Sequence, residues 1–266
     1  MQDPRKNLAN EHGPFDIIGD VHGCFDELAE LLERLGYRVD QISEDGVAGG
    51  EWTALPPIGR KVIFLGDLSG RGPRIVEVLQ LAINMTLARN AICVPGNHDI
   101  KLLRKLQGRP MEIKRGLVES LEQISHQPEE FRRKVIHFFD TLPDHCILDD
   151  GKLVVAHAGM PEAMQGQSSQ EIREFALFGK RTGEIDESGY PIRFNWAAEY
   201  HGKAMVAYGH TPKREVKWVN NTINLDTGCI FGGKLSAMRY PEKEIFSVPA
   251  RRVYWPGKSM RKETKV

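Results

Sequence analysis

The run Phe15-Asp16-Ile17-Ile18-Gly19-Asp20-Val21-His22-Gly23-Cys24 constrains this chain more than any other stretch. Strand-forming apolar residues stop at a polar Gly-Asp-Val-His-Gly turn, and an amphipathic helical pattern begins at once. Asp20 and His22 are two apart, so an extended backbone at the strand's end points both side chains to one side. A carboxylate and an imidazole converging from a strand tip make half of a metal site. The same design recurs down the chain. Lys61–Leu65 closes in Gly66-Asp67-Leu68-Ser69-Gly70-Arg71-Gly72-Pro73, and Ala91–Val94 in Pro95-Gly96-Asn97-His98-Asp99. Leu153–Val155 closes in Ala156-His157-Ala158-Gly159, and Met205–Tyr208 in Gly209-His210-Thr211-Pro212.

Strand, polar loop and helix alternate three times in the first hundred residues, which predicts an α/β layered fold with functional loops at the strands' C-terminal ends. A helix is expected from Asp26 to Leu35, another from Pro73 to about Leu87, and helical structure over 100–141 broken at Gly108-Arg109-Pro110. Asp149-Asp150-Gly151 and Asn220-Asn221 read as hairpin turns, and β character closes the chain over Leu235–Tyr240 and Ile245–Tyr254. Residues 40–60, rich in Gly and Pro, read as a loop or small excursion. The expected organisation is a flexible leader (1–14), one domain (15–255) with insertions near 100–145 and 161–203, and a basic tail (256–266). The second insertion is expected to cap the site.

Formal net charge is zero, so any nucleic-acid affinity must come from a local patch. The candidate is Lys101, Arg104, Lys105, Arg109, Lys114 and Arg115, which read either as a solvated helix face or as contacts to a phosphate backbone. No stretch is long and apolar enough to cross a membrane. The four cysteines are scattered without a Cys-x-x-Cys pair, so reduced, buried thiols and a cytoplasmic location are expected.

The polar residues at the strand ends form a metal-ligand set. Divalent cations take carboxylate, imidazole and amide oxygen together. Asp67, in the central motif, is the natural bridge: Asp20, His22 and Asp67 would hold one ion, and Asp67, Asn97, His157 and His210 a second. Such a pair clamps a phosphate and activates a water for in-line attack. Arg71 would hold phosphate oxygens with its planar fork, and His98 would protonate the leaving oxygen. Asp226 would orient a ligating histidine or Arg71, or would cap the turn at Thr227-Gly228. His12, His126, His137, His145 and His201 read as structural or surface residues.

In order, Gly-Asp-Val-His-Gly, Gly-Asp-x-x-x-Arg-Gly, Gly-Asn-His-Asp, His-Ala-Gly and Gly-His-Thr-Pro resemble the calcineurin-like, phosphoprotein-phosphatase type of metallophosphoesterases over about residues 15–230. That resemblance implies a β-sandwich flanked by helices with a binuclear metal site at strand ends. Leu177–Glu184, Asp226–Leu235 and Arg239–Glu244 resemble the phosphatase domain of bacterial polynucleotide kinase-phosphatase. This implies removal of 2′-phosphate, 3′-phosphate or 2′,3′-cyclic phosphate from RNA ends, with manganese or nickel, beside kinase and ligase modules. The chain carries neither a G-x-x-x-x-G-K-[ST] nor a K-x-[DN]-G motif. A dinucleoside tetraphosphatase and a serine/threonine protein phosphatase share the motif set and are the alternatives. One position departs from the family: Gly70 stands where an acid normally orients the general-acid histidine. That departure adds a catalytically weakened RNA-binding scaffold as another alternative, and predicts that Gly70→Asp raises turnover.

Overall fold

Phe15 and Ile17 leave their strand toward one core, and Ile18 toward another. The computed structural model, which describes residues 7–42, 50–113, 116–185 and 191–256, shows why both faces of this strand are apolar. A five-stranded sheet runs in the order Ile245–Pro249, Lys234–Tyr240, Phe15–Ile18, Lys61–Phe64, Ala91–Cys93. Its last three strands are mutually parallel, with Ile17 opposite Ile63 and Ile63 opposite Ile92. A six-stranded sheet runs Asn7–Leu8, His145–Leu148, Leu153–Ala156, Met205–Tyr208, Thr222–Asn224, Lys217–Val219. Here Leu153–Ala156, Met205–Tyr208 and Thr222–Asn224 are parallel.

The sheets face one another across a core of Phe15, Ile17, Ile63, Val155, Ala207 and Ile223. Helices α1 (Phe25–Arg34), α2 (Ile75–Leu87), α3 (Asn97–Leu106), α4 (Val118–Ser125) and α5 (Glu129–Thr141) cover the outer face of the five-stranded sheet. Helix α6 (Gln170–Phe178), with Trp196 and Tyr200, covers the outer face of the other. A β-sandwich flanked by helices is thus the observed fold. Among the described residues no helix is long and apolar enough to cross a membrane.

Three expectations change. Asn7–Leu8, read as flexible leader, pairs in parallel with the His145–Leu148 strand, and Glu11 binds Lys61 through its carboxylate at 2.5 Å. The 40–60 excursion contributes half of an antiparallel ribbon, Arg38–Ile42 with Glu51–Leu55, whose Trp52 ring lies tilted against Phe25. Gly and Pro at its ends masked its strand character, and residues 43–49 lie outside the described set. In the 161–203 insertion, the buried residues of α6 and of Trp196–Glu199 pack against the six-stranded sheet rather than roofing the strand ends.

Asp16 is fully buried on the helix side of its strand. It accepts from the Tyr37 hydroxyl at 2.9 Å, and Arg60 Nε and Arg239 Nε lie at 3.3 and 3.4 Å. Burial pushes its carboxyl up while Tyr37, Arg60 and Arg239 pull it down, so the network fixes strand against helix more than it adds net stability. Asp16→Ala leaves those donors short of an acceptor. It is expected to lower unfolding free energy by about 1–3 kcal/mol, read from a shifted urea midpoint at unchanged slope.

Candidate metal centre

Parallel pairing brings the C-terminal ends of six strands to one edge of the sandwich, so side chains far apart in sequence meet there. Asp67 lies at the centre. Its Oδ1 accepts from the backbone N–H of His98 at 2.8 Å, in the first turn of α3, where the helix dipole favours negative charge. Gly96 leaves it room, since a Cβ there would fall 2.1 Å from Asp67 N and Oδ1. His22 Nε2 is 3.4 Å from Asp67 Oδ2, and His157 Nε2 is 3.6 Å from Oδ1. Asp20, His22 and Asp67 offer ligand atoms within 4.8 Å of one another, and so do Asp67, His157 and His210. Asn97 Oδ1 joins the second group, 3.2 Å from His157 Nε2. All six residues expected to ligate are therefore together, with Asp67 common to both groups.

The hydrogen bonds behind these side chains test whether cations fit. His22 Nδ1 lies 3.1 Å from the Ser69 carbonyl, and His157 Nδ1 lies 2.9 Å from the Leu65 carbonyl. Each carbonyl takes a proton on Nδ1, which leaves Nε2 of the neutral ring an acceptor on the Asp67 side, met in His22 by Arg71 and in His157 by His210 Nδ1 at 3.0 Å. His157 Nε2 then meets Asn97 Oδ1 and Asp67 Oδ1 acceptor to acceptor. Buried acceptors converging without protons repel unless a cation lies among them. Electrostatics point the same way. Burial, then Asp226 and Asp67, pushes Asp20 well above the usual carboxylate range. Burial, then Arg71, lowers His22 to about 3. Burial is also the main force pushing His98 and His210 down. Burial opposes ionisation of Asp67, but positive charge on the surrounding imidazoles of His157, His98, His22 and His210 would outweigh it and hold its carboxyl well below its ordinary value, and with those rings neutral a bound cation supplies that charge instead. The donor set fits two divalent cations bridged by Asp67.

Arg71 spans the site. Its Nη1 donates to His22 Nε2 at 2.9 Å and its Nη2 to His98 Nε2 at 2.8 Å. Gly70 sits at φ +95°, and a Cβ there would come 2.5 Å from His98 Nδ1. The imidazole itself fills the space of a side chain, so the expectation that Gly70→Asp raises turnover is withdrawn: an aspartate there is both strained and overlapping. Asp226 Oδ1 accepts from Gly228 N at 3.0 Å, the turn-capping role left open for it, while its charge also acts on Arg71 and Asp20.

Sequence reasoning passed over Asp99. Fully buried, it accepts from Ser69 N and Oγ at 2.9 and 2.8 Å through Oδ1, and from Gly96 N at 2.9 Å through Oδ2. It clamps the Asp67 loop to the Asn97 loop, and burial, then Asp67, raises it to about 6. An acid three residues after Gly96, closing Gly-Asn-His-Asp, was the available signal. The basic run divides between different surroundings where it is described. Lys101 lies in the field of His98, Arg104 lines a separate cavity with Arg173, and Lys114 and Arg115 lie outside the described residues.

Because both ligand groups share Asp67, Asp67→Ala is expected to drop bound manganese from about two ions per chain to fewer than one. Metal analysis after dialysis reads this directly, and two retained equivalents would remove Asp67 from the bridge.

The calcineurin-like phosphoesterase family matches residues 13–235. The asymmetrical bis(5′-nucleosyl)-tetraphosphatase PrpE of Anoxybacillus flavithermus is 42% identical over 244 residues, covering 90% of this chain and 96% of its own. The Bacillus subtilis protein of the same name is 40% identical over 244 residues, with the same two coverages. A crystal structure described as a candidate diadenosine tetraphosphatase aligns with a TM-score of 0.62 at 25% identity, over 95% of this chain and 98% of its own. A protein serine/threonine phosphatase of Saccharomyces cerevisiae shares the fold alone, at TM-score 0.57 and 13% identity, over 94% of this chain and 84% of its own. These matches establish that the chain belongs to the calcineurin-like phosphoesterase family and is a metal-dependent phosphoesterase.

Proposed function

We propose that this enzyme hydrolyses dinucleoside tetraphosphates off-centre, dividing the four phosphates three and one. The observation that carries the reading is likeness at 42% identity, across nine-tenths of the chain, to a relative of that name. This reverses the order of the readings drawn from the motifs. The tetraphosphatase, first held as the alternative, now leads, and the relatives lend no support to RNA-end repair or to companion kinase and ligase modules.

Chemistry at Gly70 favours the same choice. The leaving group from an RNA 3′-phosphate is a ribose alkoxide, which departs only when protonated, so a well-oriented acid matters. The leaving group from a phosphoanhydride is itself a phosphate, stable as an anion. His98, held by Arg71 at Nε2 with no carboxylate at position 70, suffices for the second substrate more readily than for the first. Arg71 also lines a cavity of about 380 Å³ with Gln123, Arg252 and Tyr254. A long polyphosphate can run from the metal ligands past Arg71 toward Arg252.

Two bound cations, manganese by this mixture of carboxylate, amide and imidazole donors, with nickel as the other candidate, would neutralise phosphate charge and acidify water. Asp20, His22, Asp67, Asn97, His157 and His210 would hold them. The protein's own groups do the rest. Arg71 turns its fork from the imidazoles to phosphate oxygens, and His98 Nε2 faces the departing oxygen. Asp226 tunes Arg71 by charge. A water gives up a proton to solvent as its oxygen bonds to phosphorus, the bridging P–O bond breaks, and the electron pair leaves on the terminal phosphate of the released nucleotide.

With manganese present, diadenosine tetraphosphate is expected to give AMP and ATP in equal amounts, resolved by anion-exchange chromatography. Two ADP molecules, or faster phosphate release from a 3′-phosphorylated RNA, would reject the reading. His98→Asn is expected to slow phenyl phosphate by about 10²-fold or more, and the tetraphosphate by less than about tenfold.

A further inference from the structure

In the core between the five-stranded sheet and its helices, ligands of a different chemistry come together. Cys24 follows His22 by two residues, Cys229 follows Asp226 by three, and Glu27 lies in the first turn of α1. The two sulfurs and a Glu27 carboxylate oxygen lie within 4.8 Å of one another. Cys24 and Glu27 are 0% exposed and Cys229 is 2% exposed. Both thiols are free. Tetrahedral zinc with sulfur at about 2.3 Å sets its sulfurs roughly 3.8 Å apart, so this spread needs side-chain adjustment only.

Glu27 supplies the second, independent observation. Its Oε1 accepts from the Tyr254 hydroxyl at 2.7 Å and from Arg251 N at 2.8 Å. Its Oε2 is buried and has no hydrogen-bond partner. A buried carboxylate oxygen left bare is destabilising, so a partner for it is expected. The same carboxylate lies beside a pair of thiols, whose sulfurs become ligands once their protons leave.

We propose that Cys24, Cys229 and Glu27 Oε2 form a structural site for one thiophilic divalent cation, zinc by its chemistry. Two thiolates and a carboxylate suit that ion, whereas the oxygen- and imidazole-rich cluster at the strand ends suits manganese. On binding, the two thiols release two protons to solvent, and the ion takes three protein ligands with a water in the fourth position. The site ties the loop carrying His22 to the loop carrying Asp226. Through Glu27 Oε1 it also ties both to the segment bearing Arg251 and Tyr254.

Cobalt is the probe, because thiolate-to-cobalt charge transfer absorbs in the near ultraviolet and the strand-end cluster contains no sulfur. The full chain, stripped of metal and held reduced with a phosphine, is titrated with Co²⁺. A thiolate charge-transfer band is expected to saturate at one equivalent, separate from the two equivalents at the strand ends. Asp67→Ala is expected to keep the band while losing the other two, so failure here and failure of the phosphoesterase reading are distinguishable. Cys229→Ser is expected to abolish the band, and Glu27→Gln to weaken its saturation by about tenfold or more. Absence of the band in the wild-type protein with all four thiols titratable would overturn the proposal. So would a Cys24–Cys229 disulfide, seen as two titratable thiols in protein isolated without reductant.

Discussion

Asp67 is a buried carboxylate on which the strand-end groups of both sheets converge. The N-terminus of α3 donates to it, the imidazoles of His22 and His157 lie within 3.6 Å, and Gly96 is glycine because nothing larger fits beside it. Much of the architecture serves to hold this constellation. Parallel strands in two different sheets must end at the same edge, and the helix after Ala91–Cys93 must begin at Asn97. Asp99 must also pin one loop to the other. Buried acceptors face one another without protons, so the arrangement makes physical sense as a receptacle for cations.

The site was legible in the sequence because strand-end chemistry is local. A strand tip fixes where its next few residues go, so Asp20-x-His22, Asp67, Asn97-His98, His157 and His210 could be gathered before any packing was known. Sheet membership was not legible. Phe15–Ile18 and Leu153–Ala156 are buried on both faces, so their apolar runs do not say which face meets the other sheet and which meets helices. The ribbon of Arg38–Ile42 and Glu51–Leu55 was missed because its strands are half exposed and take their order from Phe25 and α2 rather than from periodicity. Asp99 was hidden in plain view. It read as the end of a motif, and the Ser69 amide and hydroxyl that it holds become its neighbours only in three dimensions.

Gly70 shows how a family resemblance can mislead about a single position. Against the family pattern it reads as a missing acid and hence as a weakened enzyme. In the folded chain it is a left-handed backbone position against which His98 packs, with Arg71 on the far nitrogen. The catalytic consequence depends on the leaving group, not on the motif alone. An anhydride tolerates the loss of an oriented acid that a ribose ester would not.

Two cations sharing Asp67 is the arrangement on which the proposed chemistry depends. Anomalous diffraction from manganese-grown crystals, collected at the manganese edge, tests it most directly. Two peaks about 3.5–4 Å apart are expected. One is flanked by Asp20 and His22, the other by Asn97, His157 and His210, with Asp67 between them. A single peak, or two peaks of which only one touches Asp67, would contradict it.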